Sequence, residues 1–324
     1  MMDQLPKTMR AAAIDRFGGP EELALHILPV PEIGDDEVLI ALTAAGVGSW
    51  DADIRGGWWP DDTPPPTFPL VLGTDGAGTI AAAGRAVDRL KVGDRAYAYS
   101  FANPKGGFYA EYVAVAAERA ARTPATLDLQ QAGAIATTGL AALQGIDDAL
   151  HVKAGEAVIV HGASGGVGTL AVQFAKLRGA RVFATASGDD GVAVVRRLGA
   201  DQVVEGHDAG VARAAHEFAP DGLDAILGLI GGETLERCVD QLRDGGRLAY
   251  LNGVEPQPRK RPQIAVIAYD AVPGVREFEA LNEAVDAARV QVVIAATYPL
   301  EEAHRAHERL KLGHVVGKIT LTIA

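Results

Sequence analysis

The sequence predicts an α/β protein with two kinds of sheet: a compact β-rich unit first, then a doubly wound parallel sheet. Three observations carry this. Short apolar runs separated by glycine turns fill the first third, with little helical periodicity. From about Gln130 onward, apolar strands alternate with helical patterns, as in a parallel sheet covered on both faces. Residues 157–168, AVIVHGASGGVG, run from a β-branched stretch through spaced glycines into a helix.

In chain order, Met1–Thr8 is polar, carries Pro6 and Lys7, lacks the apolar segment of a signal peptide and reads as a disordered extension. Met9–Ile14 and Val38–Thr43 are short apolar strands. Residues 71–83 carry glycines at 73, 76 and 78, with a strand continuing toward Ala83. Gly93-Asp94-Arg95 turns into the strand Ala96–Ser100, and Gly106-Gly107 precedes the strand Tyr109–Ala116. Gln131–Leu150 reads as a helix. Strands follow at 157–161, 181–185, 202–204, 224–229, 246–251 and 264–268, with helical patterns such as 190–198 and 233–242 between them. Two more helical patterns, 276–288 and 300–311, lead to a last strand, Lys318–Thr322.

The chain has 324 residues, room for two domains with full cores. Its 42 acidic and 30 basic residues give a net charge of −12. That balance argues against nucleic acid and against an anionic membrane surface as partners. One cysteine, Cys238, excludes an intrachain disulfide and makes a cytoplasmic setting the default. No apolar stretch is long enough to span a membrane.

The glycines at 162, 165 and 168 sit where a strand becomes a helix. Val167, Leu170, Ala171, Phe174 and Ala175 have helical spacing, and Gly179 stands where a helix stops. Glycines there let the backbone approach a pyrophosphate, and the helix N-terminus offers free N–H groups and a positive dipole end. Gly162, Ser164, Gly165, Gly166, Val167 and Gly168 are therefore candidate dinucleotide-binding residues. The alternative is a glycine-rich turn that binds no nucleotide.

Several strings then resemble one family in order and spacing: MRAAAIDRFGGPEEL at 9–23, AAGVGSWDADIRGG at 44–57, LVLGTDGAGTI at 70–80, VGDRAY at 92–97 and GGFYAEYVAV at 106–115. TTGLAAL at 137–143, the glycine fingerprint, GGETLERCVDQLRDGGRLAYLNG at 231–253 and YPLEEAHRAHERLKLGHVVGKITL at 298–321 complete the set. The chain resembles the medium-chain dehydrogenase/reductases, in their zinc-free quinone oxidoreductase (zeta-crystallin-like) branch. The resemblance implies a GroES-like catalytic domain at 1–128, a Rossmann cofactor domain at 129–270 and a C-terminal return at 271–324 that completes the first. It implies hydride transfer to a small-molecule acceptor, a quinone or an α,β-unsaturated carbonyl. Other readings are an enoyl reductase of the same superfamily and a nucleotide-binding structural or sensor protein without catalysis.

Departures from the pattern sharpen the expectation. Zinc-dependent relatives place a cysteine at the position of Gly48 and a His-Glu pair at Thr74-Asp75, so the usual ligands are missing and no metal is expected. His304 and His307 have a spacing that can chelate, with a solvated helix face as the other reading. Quinone reductases often carry Asn at the place of Gly48 and Tyr at the place of Asp53, which puts the usual substrate-side hydrogen bonds in question.

At the end of the second strand of a dinucleotide fold an acidic residue selects NAD. This strand ends in Thr185-Ala186-Ser187, and the neutral Ser187 favours NADPH. NADH stays open, because Asp189 and Asp190 follow and Gly191 replaces a basic residue of many relatives. Asp53 is the candidate catalytic acid if it is buried beside the nicotinamide; otherwise it is an ordinary aspartate in a short helix capped by Ser49. Asp51 reads as structural in that helix's first turn. Thr138 lies by resemblance near the nicotinamide, or is a helix N-cap. Asn252 follows a strand end that lines the cofactor crevice. Lys318 matches a basic residue that relatives use near the cofactor, or opens a surface strand.

Trp58, Trp59 and Phe68 sit in a proline-stiffened loop that either walls an apolar pocket or packs on the domain. Tyr97, Tyr99 and Tyr109 are pocket donors or satisfied strand residues, and Arg259-Lys260-Arg261 reads as a solvated basic loop, with an adenylate-phosphate contact as the other reading. The strand QIAVIA at 263–268 needs pairing or cover, which suits a homodimer through the edges of the cofactor-domain sheet.

Overall fold

The structure, a computed structural model, describes residues 5–61, 63–206 and 210–323. Residues 1–4 of the expected N-terminal extension lie outside the described residues, and Thr8 already belongs to the first strand.

The first part of the chain is β1 (Thr8–Ile14), β2 (Ala24–Pro29), β3 (Glu37–Val47), α1 (Ser49–Arg55), β4 (Leu70–Val71), β5 (Asp75–Ala83), β6 (Arg95–Tyr99), β7 (Tyr112–Ala116) and β8 (Ala120–Arg122). The middle is α2 (Leu129–Gln144), β9 (Ala157–His161), α3 (Gly166–Leu177), β10 (Arg181–Ala186), α4 (Gly188–Arg197), β11 (Gln202–Glu205), α5 (Val211–Phe218), β12 (Leu223–Gly228), α6 (Glu233–Val239), β13 (Leu242–Leu251) and β14 (Ala265–Tyr269). α7 (Val275–Ala288), β15 (Ile294–Pro299), α8 (Ala303–Lys311) and β16 (Lys318–Thr322) close the chain.

Among the described residues there are three sheets. β2-β1-β4 is small; β15-β16-β3-β5-β6-β8 unites the two ends of the chain, with β7 also on β3; and β11-β10-β9-β12-β13-β14 is parallel throughout. The parallel strands are apolar on both faces because helices cover both. Val158 and Val160 of β9 point into one core cluster with Phe174 of α3 and Phe278 of α7. Their neighbour Ile159 points into another, with Phe183, Ile226 and Leu248. The first sheets enclose their own core around Ile14, Ile40, Phe108 and Leu321.

The fold revises several expectations. The helix predicted over 131–150 ends at Gln144 and passes into a π-turn, Gly145–Ala149. Tyr269 donates its hydroxyl to Ala141 O at 2.8 Å, and a side chain on Gly145 would meet that hydroxyl, so the ladder loosens there. The pattern at 300–311 splits into a 3-10 turn, Leu300–Glu302, and α8. Strands β2, β4, β8 and β15 are too short, too exposed or too proline-flanked to stand out by alternation. The basic triplet is not simply solvated: Arg261 pairs with Glu236 at 2.8 Å and Asp240 at 2.7 Å, tying the loop before β14 to α6.

Candidate active site

β9 delivers the chain into the glycine loop. Gly162 has φ +85°, a conformation that side chains resist, and its N–H donates to Thr185 Oγ1 at 3.0 Å. Gly165 caps α3, and a Cβ built there meets only Gly162 O, at 3.7 Å. The space over Gly165 is therefore open, beside the N–H groups of Gly166, Val167 and Gly168 that a helix leaves without internal partners. Gly168 serves a different purpose: a Cβ there would collide with Gly162 O and Ala163, so it lets the loop fold onto the helix. This is a cradle shaped for a pyrophosphate, and the residues present fit a bound dinucleotide.

The C-terminal return meets this cradle. Gly165 and Gly317 form a parallel bridge, and Gly317 N–H donates to Ser164 O at 2.8 Å. The next residue, Lys318, is 8% exposed, so the surface-strand reading is overturned: β16 lies between β15 and β3. A Cβ on Gly166 would stand 3.6 Å from Lys318 Cδ and 3.4 Å from Thr138 Cγ2. Lys318 and Thr138 thus adjoin the glycine loop. Thr138 is no N-cap; Asp128 caps α2, and the Thr138 hydroxyl donates to Ala134 O at 3.1 Å from mid-helix.

Lys318 reaches a buried charge cluster. Its Nζ lies 3.4 Å, and Asp51 Oδ2 3.7 Å, from where a Cβ on Gly48 would be. A Cβ on Gly46 would meet Lys318 Cε at 2.9 Å and collide with Asp75 Oδ1, so glycine at both positions makes room for the cluster. The cap of α1 is Gly48, not Ser49: Gly48 N–H donates to Asp51 Oδ2 at 2.8 Å. Asp51 is 0% exposed, and burial, partly offset by Gly48 and Lys318, pushes its carboxyl up to about 6. Among the described residues, Asp51 Oδ1 and Asp75 Oδ1 have no hydrogen-bond partner, while Asp75 Oδ2 accepts from Thr137 N–H at 2.9 Å.

A directed chain of hydrogen bonds ends on Asp51. The Arg55 guanidinium, which can only donate, lies 2.8 Å from His307 Nδ1. His307 is therefore neutral with its proton on Nε2, facing Tyr109 Oη at 3.1 Å, and Tyr109 donates to Asp51 Oδ2 at 3.1 Å. Burial, helped by Arg55, holds His307 down at about 3, and burial beside Asp51 raises Tyr109 well above the usual phenol range. Both the chelating and the solvated-face readings of His307 fall, because it is 1% exposed and both ring nitrogens are engaged. Among the described residues no group of three or more His, Cys, Asp or Glu side chains converges as a metal site.

A cleft of about 530 Å³ opens nearby, lined by Trp50, Ala52, Asp53, Gly56, Trp58, Asn252 and Gly253. Asp53 is exposed at its edge and not buried beside the loop; partial desolvation raises its pKa and Arg55 opposes that. Asn252 Nδ2 donates to Asp270 Oδ2 at 2.7 Å. Of the proline-loop aromatics, Trp58 lines the cleft beside Trp50 and packs at a tilt on it and on Phe101, whereas Phe68 packs on Phe17. Tyr97 and Tyr109 are satisfied core residues, with Tyr97 donating to Asn282 Oδ1 at 2.8 Å.

Ser187 lies at a third place, capping α4 at the end of β10. His314, which the sequence reading missed, stands 3.4 Å from Ser187 Oγ and pairs with Asp190 at 2.9 Å. No local pattern marks it, because its partners Ser187 and Asp190 are 127 and 124 residues away in the chain.

The fold and this site define a nucleotide-binding oxidoreductase with its cofactor cradle between two sheets. Residues 34–125 match the alcohol dehydrogenase GroES-like domain and residues 198–321 the zinc-binding dehydrogenase domain. Quinone oxidoreductase of Pongo abelii is 31% identical, covering 98% of each chain. NADPH-dependent alkenal/one oxidoreductase, chloroplastic, of Arabidopsis thaliana is 31% identical over 98% of this chain and 80% of that one. The structure of Escherichia coli quinone oxidoreductase complexed with NADPH superposes with a TM-score of 0.85 at 25% identity, covering 97% of this chain and 100% of that one. The chain belongs to the medium-chain dehydrogenase/reductase family, among its quinone oxidoreductases.

Proposed function

We propose that the protein is an NADPH-dependent reductase that transfers hydride to a quinone or an α,β-unsaturated carbonyl and works without a metal. The observation that carries this is the open space over Gly165 at the start of α3, closed from one side by Gly317 and Lys318. The bound reduced nicotinamide supplies the hydride. The chain's part is to hold and orient: the N–H groups of Gly166, Val167 and Gly168 take the pyrophosphate, and Lys318 adds a buried cation beside them. Thr138 sits against the same loop, and Asn252 lines the acceptor cleft. Ser187 favours the 2′-phosphate, with the His314 ring beside it as a further hydrogen-bonding group. Asp53 is open to solvent, so water at the cleft mouth serves as the proton source and a dedicated carboxylic acid is not required.

Zinc does not fit the side chains. Gly48 and Thr74 offer neither thiolate nor imidazole, and the Lys318 ammonium shares the space that a dication would need. The named relatives, a quinone and an NADPH-dependent alkenal/one oxidoreductase, support the acceptor class and the cofactor. We also propose a homodimer through β14, an edge strand of the parallel sheet, to be read by light scattering.

The test is NADPH oxidation followed at 340 nm with and without 1,4-benzoquinone, beside calorimetric titration of NADPH and NADH. Turnover with an acceptor and tighter NADPH binding are expected. Folded protein that takes up neither nucleotide overturns the reading.

A further inference from the structure

The acceptor cleft has a polarity that the proposed reaction does not by itself require. Its wall carries two indoles, Trp50 and Trp58, with ring centroids 5.6 Å apart, and Phe101 packs on them at 5.9 Å from Trp50 and 5.8 Å from Trp58. Gly253, at φ +88°, brings the opposite backbone within reach of Trp50; a Cβ there would be 3.0 Å from the indole. Flat aromatic walls suit a planar guest.

The formal charge on that wall is of one sign. Asp53 is the charged residue among those that line the cleft. Asn252 turns one of its two amide N–H donors to Asp270, since a carboxylate accepts and cannot donate. Behind Asn252, Asp270 adds a second negative charge. The nearest cation on the same helix, Arg55, is buried and turned to His307, because residues two apart on a helix face different ways. Among the described residues that line the cleft, no cation offsets Asp53, which repels an anionic guest.

We propose that Asp53 is a specificity-determining residue, and that the cleft admits planar aromatic acceptors that are uncharged or cationic while turning away acceptors bearing a carboxylate or sulfonate. The inference rests on the acceptor reading above and narrows its substrate class. It assigns Asp53 an electrostatic role at the point of entry in place of proton donation. The effect is modest in size, because Asp53 is solvent-exposed and salt screens it.

The experiment compares wild type, Asp53→Asn and Asp53→Lys with two acceptors, 1,4-naphthoquinone and 1,4-naphthoquinone-2-sulfonate. kcat/KM is measured for each at low salt and at about 0.5 M salt, where screening acts within a few ångströms. Quenching of the indole fluorescence of Trp50 and Trp58 gives acceptor affinity without any nucleotide. The quantity read is the ratio of the sulfonated to the plain quinone. Asp53→Asn raises this ratio about fivefold and Asp53→Lys raises it further. High salt raises it in wild type and raises it less in Asp53→Asn, where Asp270 still acts. A ratio that stays within about twofold across the three proteins overturns the proposal, as does an equal fall in kcat for both quinones, which marks Asp53 as a proton donor. The quenching titration reports on the same ratio even if turnover is absent. Failure of the reductase reading, seen as no uptake of nucleotide, is thereby separate from failure of the charge filter.

Discussion

Gly317 donates its backbone N–H to Ser164 O at 2.8 Å, joining the strand that closes one sheet to the loop that opens the nucleotide cradle of another. The bond needs a residue at φ +91°, and a Cβ there would collide with Val293 O. Gly317→Ala is expected to cost about 2 kcal/mol or more and to loosen nucleotide binding through the displaced Lys318. A fall in the thermal midpoint together with a weaker calorimetric Kd checks it; a drop in stability alone denies the link to binding.

Two neighbouring glycines predict opposite phenotypes. Gly165→Val adds bulk only to open space, so the protein keeps its melting temperature while nucleotide affinity falls at least tenfold. Gly168→Ala drives a methyl into the loop backbone, so it unfolds the loop before any ligand is added. Thermal scans with and without NADPH separate the two.

The buried chain gives a pH dependence with two signs. His307 falls from an unfolded value near 6.5 to about 3, so its contribution is present above 6.5 and is lost as pH drops through that window, up to about 5 kcal/mol. Asp51 rises from 3.8 to about 6, so its contribution is complete below 3.8 and disappears as pH climbs through 6, about 3 kcal/mol at most. The terms oppose each other between pH 4 and 6. His307→Gln keeps an acceptor for Arg55 and a donor for Tyr109, and should flatten the acid-side loss; Asp51→Asn should steepen it. Urea midpoints from pH 4 to 8 decide between these outcomes.

Removing Lys318 exposes its double duty. Lys318→Met leaves Asp51 and Asp75 buried without their cation, a loss of about 3–5 kcal/mol, and weakens nucleotide binding as well. Adding Asp51→Asn should restore much of the stability and little of the affinity. A double variant that regains both places Lys318 outside the cradle.

Cofactor choice should respond to the pair beside Ser187. His314→Ala lowers NADPH affinity about three- to tenfold and leaves NADH untouched, whereas Asp190→Asn, by freeing His314, favours NADPH. Fluorescence titrations of both nucleotides measure the ratio.

What could be read along the chain was whatever short-range pattern announces. The strand-to-helix switch at 157–175 is local, and the loop geometry followed it. The aspartate at 51 was readable as a first-turn residue but not as a buried one, because its burial comes from Tyr109, His307 and Lys318, which are distant in sequence. His307 looked solvated because its helix also carries Arg305, Glu308 and Arg309; only its partners Arg55 and Tyr109, distant in sequence, show which side is inside. Asp53, singled out for a buried role, points to the cleft mouth because α1 turns Asp51, not Asp53, inward.

The placement of β16 beside β3, with Ile319 opposite Val47, has a consequence for biogenesis. Residues 37–47 leave the ribosome long before residues 318–322 are made, so β3 spends most of translation lacking that neighbour. A nascent polypeptide holding every glycine of the fingerprint would still lack Gly317 and Lys318 beside that loop until those residues have been made.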